Sequence, residues 1–241
     1  QTKKLNEPLS GNFEGIGVSF NMVKDTLLVL QVISKGPSEK AGILSGDRII
    51  AVNGTKIAGV KMDRDSIMTR LRGPKGTIAN LDIVRRGANE VLHFKVTRDK
   101  IPVNTVDAAY MITPTAGYIH LDSFGATSGK EIDDKIKMLQ EAGMKDLILD
   151  LEFNGGGYLN AAQEVASQFL PKGSMIVYTE GRVMPRQELV AEGFGRMQKE
   201  GRVVILVDEF TASAAEIVSG AVQDHDRGVI IGRRTFGKGL V

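Results

Sequence analysis

Five consecutive apolar residues, Val203-Val-Ile-Leu-Val207, run through Asp208-Glu-Phe-Thr-Ala-Ser213 into a stretch with helical spacing from Ala212 to Gln223. The β-branched run predicts a buried strand, and the periodic stretch, with Ile217, Gly220 and Ala221 on one side, predicts a helix. Ser213 therefore falls where a buried strand turns into a helix. Backbone N–H groups at a helix start lack intrahelical partners, and the helix dipole favours negative charge there. Such a turn can hold a nucleophile and a developing oxyanion together. Further along, Lys238 stands between glycines in Thr235-Phe-Gly-Lys238-Gly. A serine hydroxyl is a weak nucleophile until a base takes its proton, and Lys238 is a candidate for that base. The same letters have a plainer meaning, because Ser213-Ala-Ala-Glu216 fits the S-x-x-E box that starts many ordinary helices. Taken alone, the cap is the commoner reading.

Composition narrows the field. A chain of 241 residues has room for one large domain or two ordinary ones. Its 42% hydrophobic and 25% charged residues suit a globular protein with a real core. Net charge is +2 and no basic stripe is interleaved with aromatics, so no nucleic-acid partner is expected. The longest apolar runs are about five residues against the roughly 20 of a membrane helix, and no segment is expected to span a bilayer. Absence of cysteine excludes disulfides, thiol nucleophiles and thiolate metal sites, and leaves the compartment open. The chain starts at Gln1 without a signal peptide, so the natural N-terminus is expected to have been removed.

The pattern divides near residue 100. The first part reads as a β-rich module: strands Gly15 to Phe20 and Leu27 to Ile33, then a short helix Ser38 to Gly42 ended by its glycine. A strand from Asp47 closes at the turn signal Asn53-Gly54. A helix over Asp63 to Arg72 puts Ser66, Ile67, Arg70 and Leu71 on one face, and strands follow at Ile78 to Arg85 and Val91 to Arg98. The second part alternates: strand Ala116 to Leu121, helix Ser128 to Ala142, strand Asp146 to Leu151, helix Asn160 to Leu170, strand Ser174 to Thr179, a polar connection, the Ser213 strand and helix, and a last strand at Gly228 to Ile231. That order argues for α/β layers with a partly parallel sheet.

Three words in order, Ser-Ala-Ala-Glu-Ile, Gly-Ala-Val-Gln-Asp and Gly-Arg-Arg-Thr-Phe-Gly-Lys-Gly, together with Leu149-Asp-Leu-Glu-Phe-Asn154-Gly-Gly-Gly157-Tyr-Leu upstream, resemble the C-terminal processing peptidases, or tail-specific proteases, of the S41 type. The resemblance covers the chain from about Leu9 to Val241. It implies a crotonase/ClpP-like ββα protease core, with Ser213 as nucleophile and Lys238 as general base. It also implies an oxyanion pair made of the Ala214 N–H and the N–H of Gly157, with Gly156 as the alternative to the latter. The first part resembles a PDZ domain of the bacterial processing type, carried by Gly15-Ile16-Gly17-Val18, Gly36-Pro-Ser-Glu-Lys-Ala-Gly-Ile and Gly46-Asp-Arg-Ile-Ile-Ala-Val-Asn-Gly. Such a domain takes an extended peptide as an added strand and holds its carboxylate with backbone N–H groups. Glycines at 15 and 17 let the backbone close on an anion. Peptide side chains would then lie by Ile67 and Leu71, positions that serve equally well as core.

The implied organisation is a remnant of an N-terminal segment at 1–10, a PDZ domain at 11–100, and a protease core at 101–241 that stops before its C-terminal strands. No cofactor or metal is implied. Partners would be protein or peptide substrates with apolar C-terminal tails, a homo-oligomer stays open, and the setting would be the cell envelope, the periplasm above all. Two departures stand out. Glu152-Phe153 occupy places where the family usually has arginine, often followed by glycine or asparagine. The chain also ends at Val241, one residue short of a glutamine that orients the lysine in the family. A lysine base must be neutral, and with an ordinary pKa near 10.4 roughly one molecule in a thousand qualifies around pH 7. Desolvation must lower that value by about 2.5 to 3 units; the later strands and N-terminal helices that the resemblance would pack around Lys238 are absent here, so weak or absent activity is expected of this chain.

Rival readings are a peptide-binding scaffold that no longer cuts, suggested by Glu152-Phe153, and a crotonase-type acyl-thioester site, for which the PDZ-like module and the Ser–Lys spacing have no use. A Ser-His-Asp triad fails on distance: a continuous helix puts His225 about 18 Å from Ser213. His93 and His120 read as exposed or satisfied structural residues. Three scattered histidines and no calcium-loop spacing leave no expected metal site.

Overall fold

The computed structural model describes Leu9 and residues 12–240. Apart from Leu9, the segment 1–10 read as an N-terminal remnant lies outside the described residues. The described residues form two compact units, Asn12–Val103 and one built on Asn104–Val241.

In the first unit, β1 (Asn12–Gly15) pairs antiparallel with β8 (Asp99–Pro102). A six-stranded antiparallel sheet runs β2 (Val18–Met22), β3 (Leu27–Val32), β4 (Arg48–Val52), β6 (Ile78–Val84), β7 (Leu92–Thr97), with β5 (Thr55–Lys56) on β4. Period-two alternation sets its inner face: Ala79, Leu81 and Ile83 of β6 are buried beneath α2 (Arg64–Leu71), which contributes Ile67 and Leu71. Asn53 and Gly54 both have positive φ, the geometry of a tight hairpin turn, and join β4 to β5. Helix α1 (Pro37–Ala41) ends at Gly42, φ 86°. The strand read over Gly15 to Phe20 is in fact broken: β1 stops at Gly15, Gly17 turns the chain with φ 76°, and β2 begins at Val18.

The second unit is an α/β layer. Its sheet is ordered β15 (Val229–Gly232), β14 (Val203–Val207), β11 (Asp146–Asp150), β10 (Ala116–Leu121), β9 (Val106–Met111), parallel except for the β9–β10 pair. Helices α3 (Ser128–Glu141), α4 (Leu159–Ala166) and α5 (Ala214–Asp224) bring Ile132, Ile136, Val165, Ala215, Val218 and Val222 to a core completed by Leu147, Leu149 and Ile205. β12 (Met175–Thr179) pairs with β13 (Gln187–Val190), so the connection read as polar contains a strand. With this topology the turns after β11 and β14, two neighbouring parallel strands, emerge side by side at their carboxyl ends, where α/β folds bind ligands.

Candidate active site

A buried carboxylate joins those two turns. Asp208 follows β14 and is wholly enclosed. Its Oδ1 accepts N–H groups from Phe153 on the β11 turn and from Phe210 and Thr211 on its own, each at 3.0 Å. Burial pushes the Asp208 carboxyl up, but the bonds from Phe153, Phe210 and Thr211 outweigh it and hold the group below the usual carboxylate range. The Thr211 hydroxyl donates to Leu151 O at 2.8 Å and accepts the Asp208 N–H at 2.9 Å. Asn154, equally buried, adds a third tie: its carbonyl accepts the Ala212 N–H at 3.0 Å and its Nδ2 donates to Leu121 O at 2.6 Å.

This double turn forces Ser213 into an unusual conformation, φ 58° and ψ −116°, just before α5. Positive φ in a serine costs on the order of 1–3 kcal/mol and persists where surroundings over-determine it. On the facing turn, Gly156 and Gly157 have φ of 95° and 151°. A Cβ on Gly156 would lie 2.7 Å from Ala212 O and 2.8 Å from Ser213 Cβ, so only glycine allows the two turns to approach this closely. The Gly156 N–H is committed to Asn154 Oδ1 at 2.8 Å. Among the described residues, the N–H groups of Gly157 and Ala214 have no protein acceptor, which leaves them, and not Gly156, as free donors beside Ser213.

Lys238 reaches this place through Glu216. The segment after β15 is anchored by Phe236 N–H on Thr211 O at 3.0 Å. Glu216 Oε1 then accepts the Gly237 N–H at 2.6 Å, and its Oε2 accepts the N–H groups of both Lys238, at 2.9 Å, and Ser213, at 2.8 Å. Burial pushes the Glu216 carboxyl up, and the Lys238 amide, Thr235 side chain, Ser213 amide and Gly237 amide more than reverse this, leaving it below its ordinary value. Ser213 and Lys238 line one cavity of about 400 Å³. The Lys238 residue itself is exposed.

Sequence reasoning read Glu216 only as a helix cap. That half of its role was legible from the S-x-x-E spacing; its grip on Gly237 and Lys238 carried no signal. Asp208 and Asn154 were equally silent, because their partners lie on another turn. Phe153, φ 61° and 70% exposed, stacks on Phe210 with ring centroids 5.3 Å apart, placing an aromatic shelf where the family usually has other residues. The histidines have partners of their own: His225 Nε2 donates to Met175 O at 2.7 Å, His120 meets Asp107 at 2.5 Å, and His93 meets Asp82 at 2.7 Å.

The first unit holds a separate cavity of about 70 Å³, where Gly15, Ile16, Gly17, Val18 and Leu71 come together with Phe20 and Met68. Ile67 lies in the core and does not line it. The Ile16 carbonyl is held by Ser38 N–H and the Gly17 carbonyl by Ile33 N–H, both at 3.0 Å. In trans peptide planes the N–H groups of Gly17 and Val18 therefore point the opposite way. β2 is the edge strand of its sheet among the described residues. Arg98, buried, donates to the Arg70 and Leu71 carbonyls at 2.8 and 3.1 Å, closing the end of α2 beside this cavity.

A strained serine and a lysine segment tied to one carboxylate thus border a single cavity in the second unit, and in the first a glycine loop borders a cavity at an edge strand. Residues 115–241 match the profile of peptidase family S41 and residues 15–97 that of the PDZ domain, so the chain belongs to peptidase family S41 and carries a PDZ domain. It is 36% identical over 241 residues to the carboxy-terminal processing protease CtpA of Bacillus subtilis (strain 168), covering all of this chain and 50% of that protein. To the carboxyl-terminal-processing protease of Synechocystis sp. (strain ATCC 27184 / PCC 6803 / Kazusa) it is 34% identical over 246 residues, covering 100% of this chain and 56% of that one. Among solved structures, the photosystem II D1 C-terminal processing protease is similar over 100% of this chain and 69% of that chain, with a TM-score of 0.51 and 28% identity. The chain spans about half the length of the curated relatives it matches. No helix among the described residues is long and apolar enough to cross a membrane.

Proposed function

We propose that this chain belongs to a serine endopeptidase that recognises apolar C-terminal tails through its PDZ domain and cuts them with a Ser213–Lys238 dyad. The carrying observation is the single Glu216 carboxylate that accepts N–H groups from both Ser213 and Lys238 beside one cavity. In this mechanism neutral Lys238 takes the Ser213 proton as Oγ attacks the scissile carbonyl. The oxyanion forms against the free N–H groups of Gly157 and Ala214, and loss of one such donor costs about 10²–10³ in kcat. Lys238 then protonates the leaving amine, and water hydrolyses the acyl-enzyme.

Tail recognition rests on the Gly17 and Val18 N–H groups as a carboxylate cradle, the edge of β2 for strand addition, and the apolar walls at Ile16, Val18 and Leu71. Ile67 acts through packing alone. By family resemblance the enzyme works in the cell envelope, in the periplasm where there is one.

The test is a mass-spectrometric time course on peptides ending in apolar residues, free or amidated at the carboxyl end, with the full-length protein beside Ser213→Ala and Lys238→Ala. Cleavage should vanish in both variants and weaken on amidation. Exposure of Lys238 and the Glu152-Phe153 departure favour one rival, a binding scaffold. Binding without cleavage by the wild type would establish that rival.

A further inference from the structure

Helix α5 carries Gly220 in its middle, although glycine is disfavoured in helix interiors. Packing does not require it: a Cβ added at Gly220 would meet no atom within 4 Å. The space it faces is the cavity of about 400 Å³ that Ser213 and Lys238 also line. One helical stripe, Ser213, Ile217, Gly220 and Asp224, forms the floor, at spacings that keep one face. Ile176 and Val177 of β12 form the wall. A second hollow continues past Ala221 and Asp224 to His225, where the bond from His225 to Met175 O closes α5 against β12. The groove thus opens at Ser213, is apolar in its middle, and ends at the Asp224 carboxylate.

We propose that this groove holds the substrate chain on one side of the bond that is cut, and that Gly220 and Asp224 set the sequence preference there. The proposal rests on the reading of Ser213 as nucleophile. Gly220 lies about two turns beyond Ser213, roughly 10 Å, and Asp224 about three turns, roughly 16 Å. An extended peptide advances about 3.3 Å per residue, so its third residue from the cut meets Gly220 and its fifth meets Asp224. Alternate side chains share a face, which brings the first, third and fifth onto the helix together. Continuity with Ser213 and Lys238 selects the occupant: an extended peptide with a bulky apolar third residue and lysine or arginine at the fifth.

Cleavage profiling on a peptide library, with the full-length protein beside Gly220→Leu, Asp224→Lys and a Ser213→Ala blank, tests this, with thermal unfolding of each. Gly220→Leu should melt at or above the wild-type temperature, since leucine suits a helix better. It should cut peptides with a bulky third residue at least about tenfold more slowly in kcat/KM, and those with alanine there little changed. Asp224→Lys should turn the preference at the fifth residue from basic to acidic. A folded Gly220→Leu with the wild-type profile overturns the proposal. Uniform acceleration of all substrates also overturns it, since a segment of the protein's own chain would then fill the groove. Cleavage that survives in Ser213→Ala sinks the nucleophile reading instead. The groove has its own readout: a peptide with benzoyl-phenylalanine at the third residue and lysine at the fifth, irradiated with Ser213→Ala, should crosslink within residues 217–224, and crosslinks elsewhere or none would refute it.

Discussion

Glu216 links two segments that the chain order keeps apart, and its ionisation should be readable in stability. Its folded pKa lies below the ordinary carboxylate value of about 4.3, with burial opposing and the Lys238 amide, Thr235 side chain, Ser213 amide and Gly237 amide prevailing. A carboxyl depressed on folding contributes stability fully above its unfolded value and loses it as pH falls through the folded one. Glu216→Gln should therefore be less stable than wild type near pH 7 by about 1–2 kcal/mol, the worth of charge-assisted hydrogen bonds. The gap should narrow as pH falls below the unfolded value of about 4.3 and vanish once pH has passed through the lower folded one. Urea unfolding across that range measures it, and a gap that widens on acidification would reject the assignment. The letters S-x-x-E announced the near half of this arrangement. Its far half, like the amides gathered by Asp208, arises only when residues distant in sequence meet, and no local pattern encodes that.

At the scale of elements, the strand–turn–helix around Ser213 and the glycine turn after β11 were legible because each joins a short apolar run to a clear change of period. Within the turn the three glycines are not equivalent. A Cβ at Gly157 would collide with the Phe124 carbonyl, at φ 151°, whereas one at Gly155 would meet nothing within 4 Å. Gly157→Ala should cost on the order of 3 kcal/mol and nearly all activity, while Gly155→Ala should stay within about 0.5 kcal/mol of wild type. Thermal melts with peptide assays compare them directly, and equal behaviour would contradict this geometry. The elements that escaped notice share a cause. β13 is polar and largely exposed, and β9 buries one residue fully, so neither alternates visibly; pairing with β12 and β10 makes them strands. The break at Gly17 was hidden because Gly15 to Phe20 alternates well enough to pass for a continuous strand.

For the whole molecule, the division near residue 100 could be seen as a change from β-rich to alternating pattern, although β8 and its partner β1, which close the first unit, could not. That unit has its own core, from Ile16 and Leu27 to Val96, and its own buried cap in Arg98. A fragment of residues 12–103 should unfold cooperatively and bind a tail peptide with a free carboxylate over its amide; calorimetry and titration check both, and a fragment without a melting transition would refute independence. In the second unit, the shared carboxylate carries a temporal meaning. Ser213 and Glu216 leave the ribosome before β15 and the Lys238 segment, so Glu216 meets its last two amide donors only after β15 has been synthesised. A chain synthesised only as far as Glu216 therefore holds Ser213 without the Lys238 segment beside it.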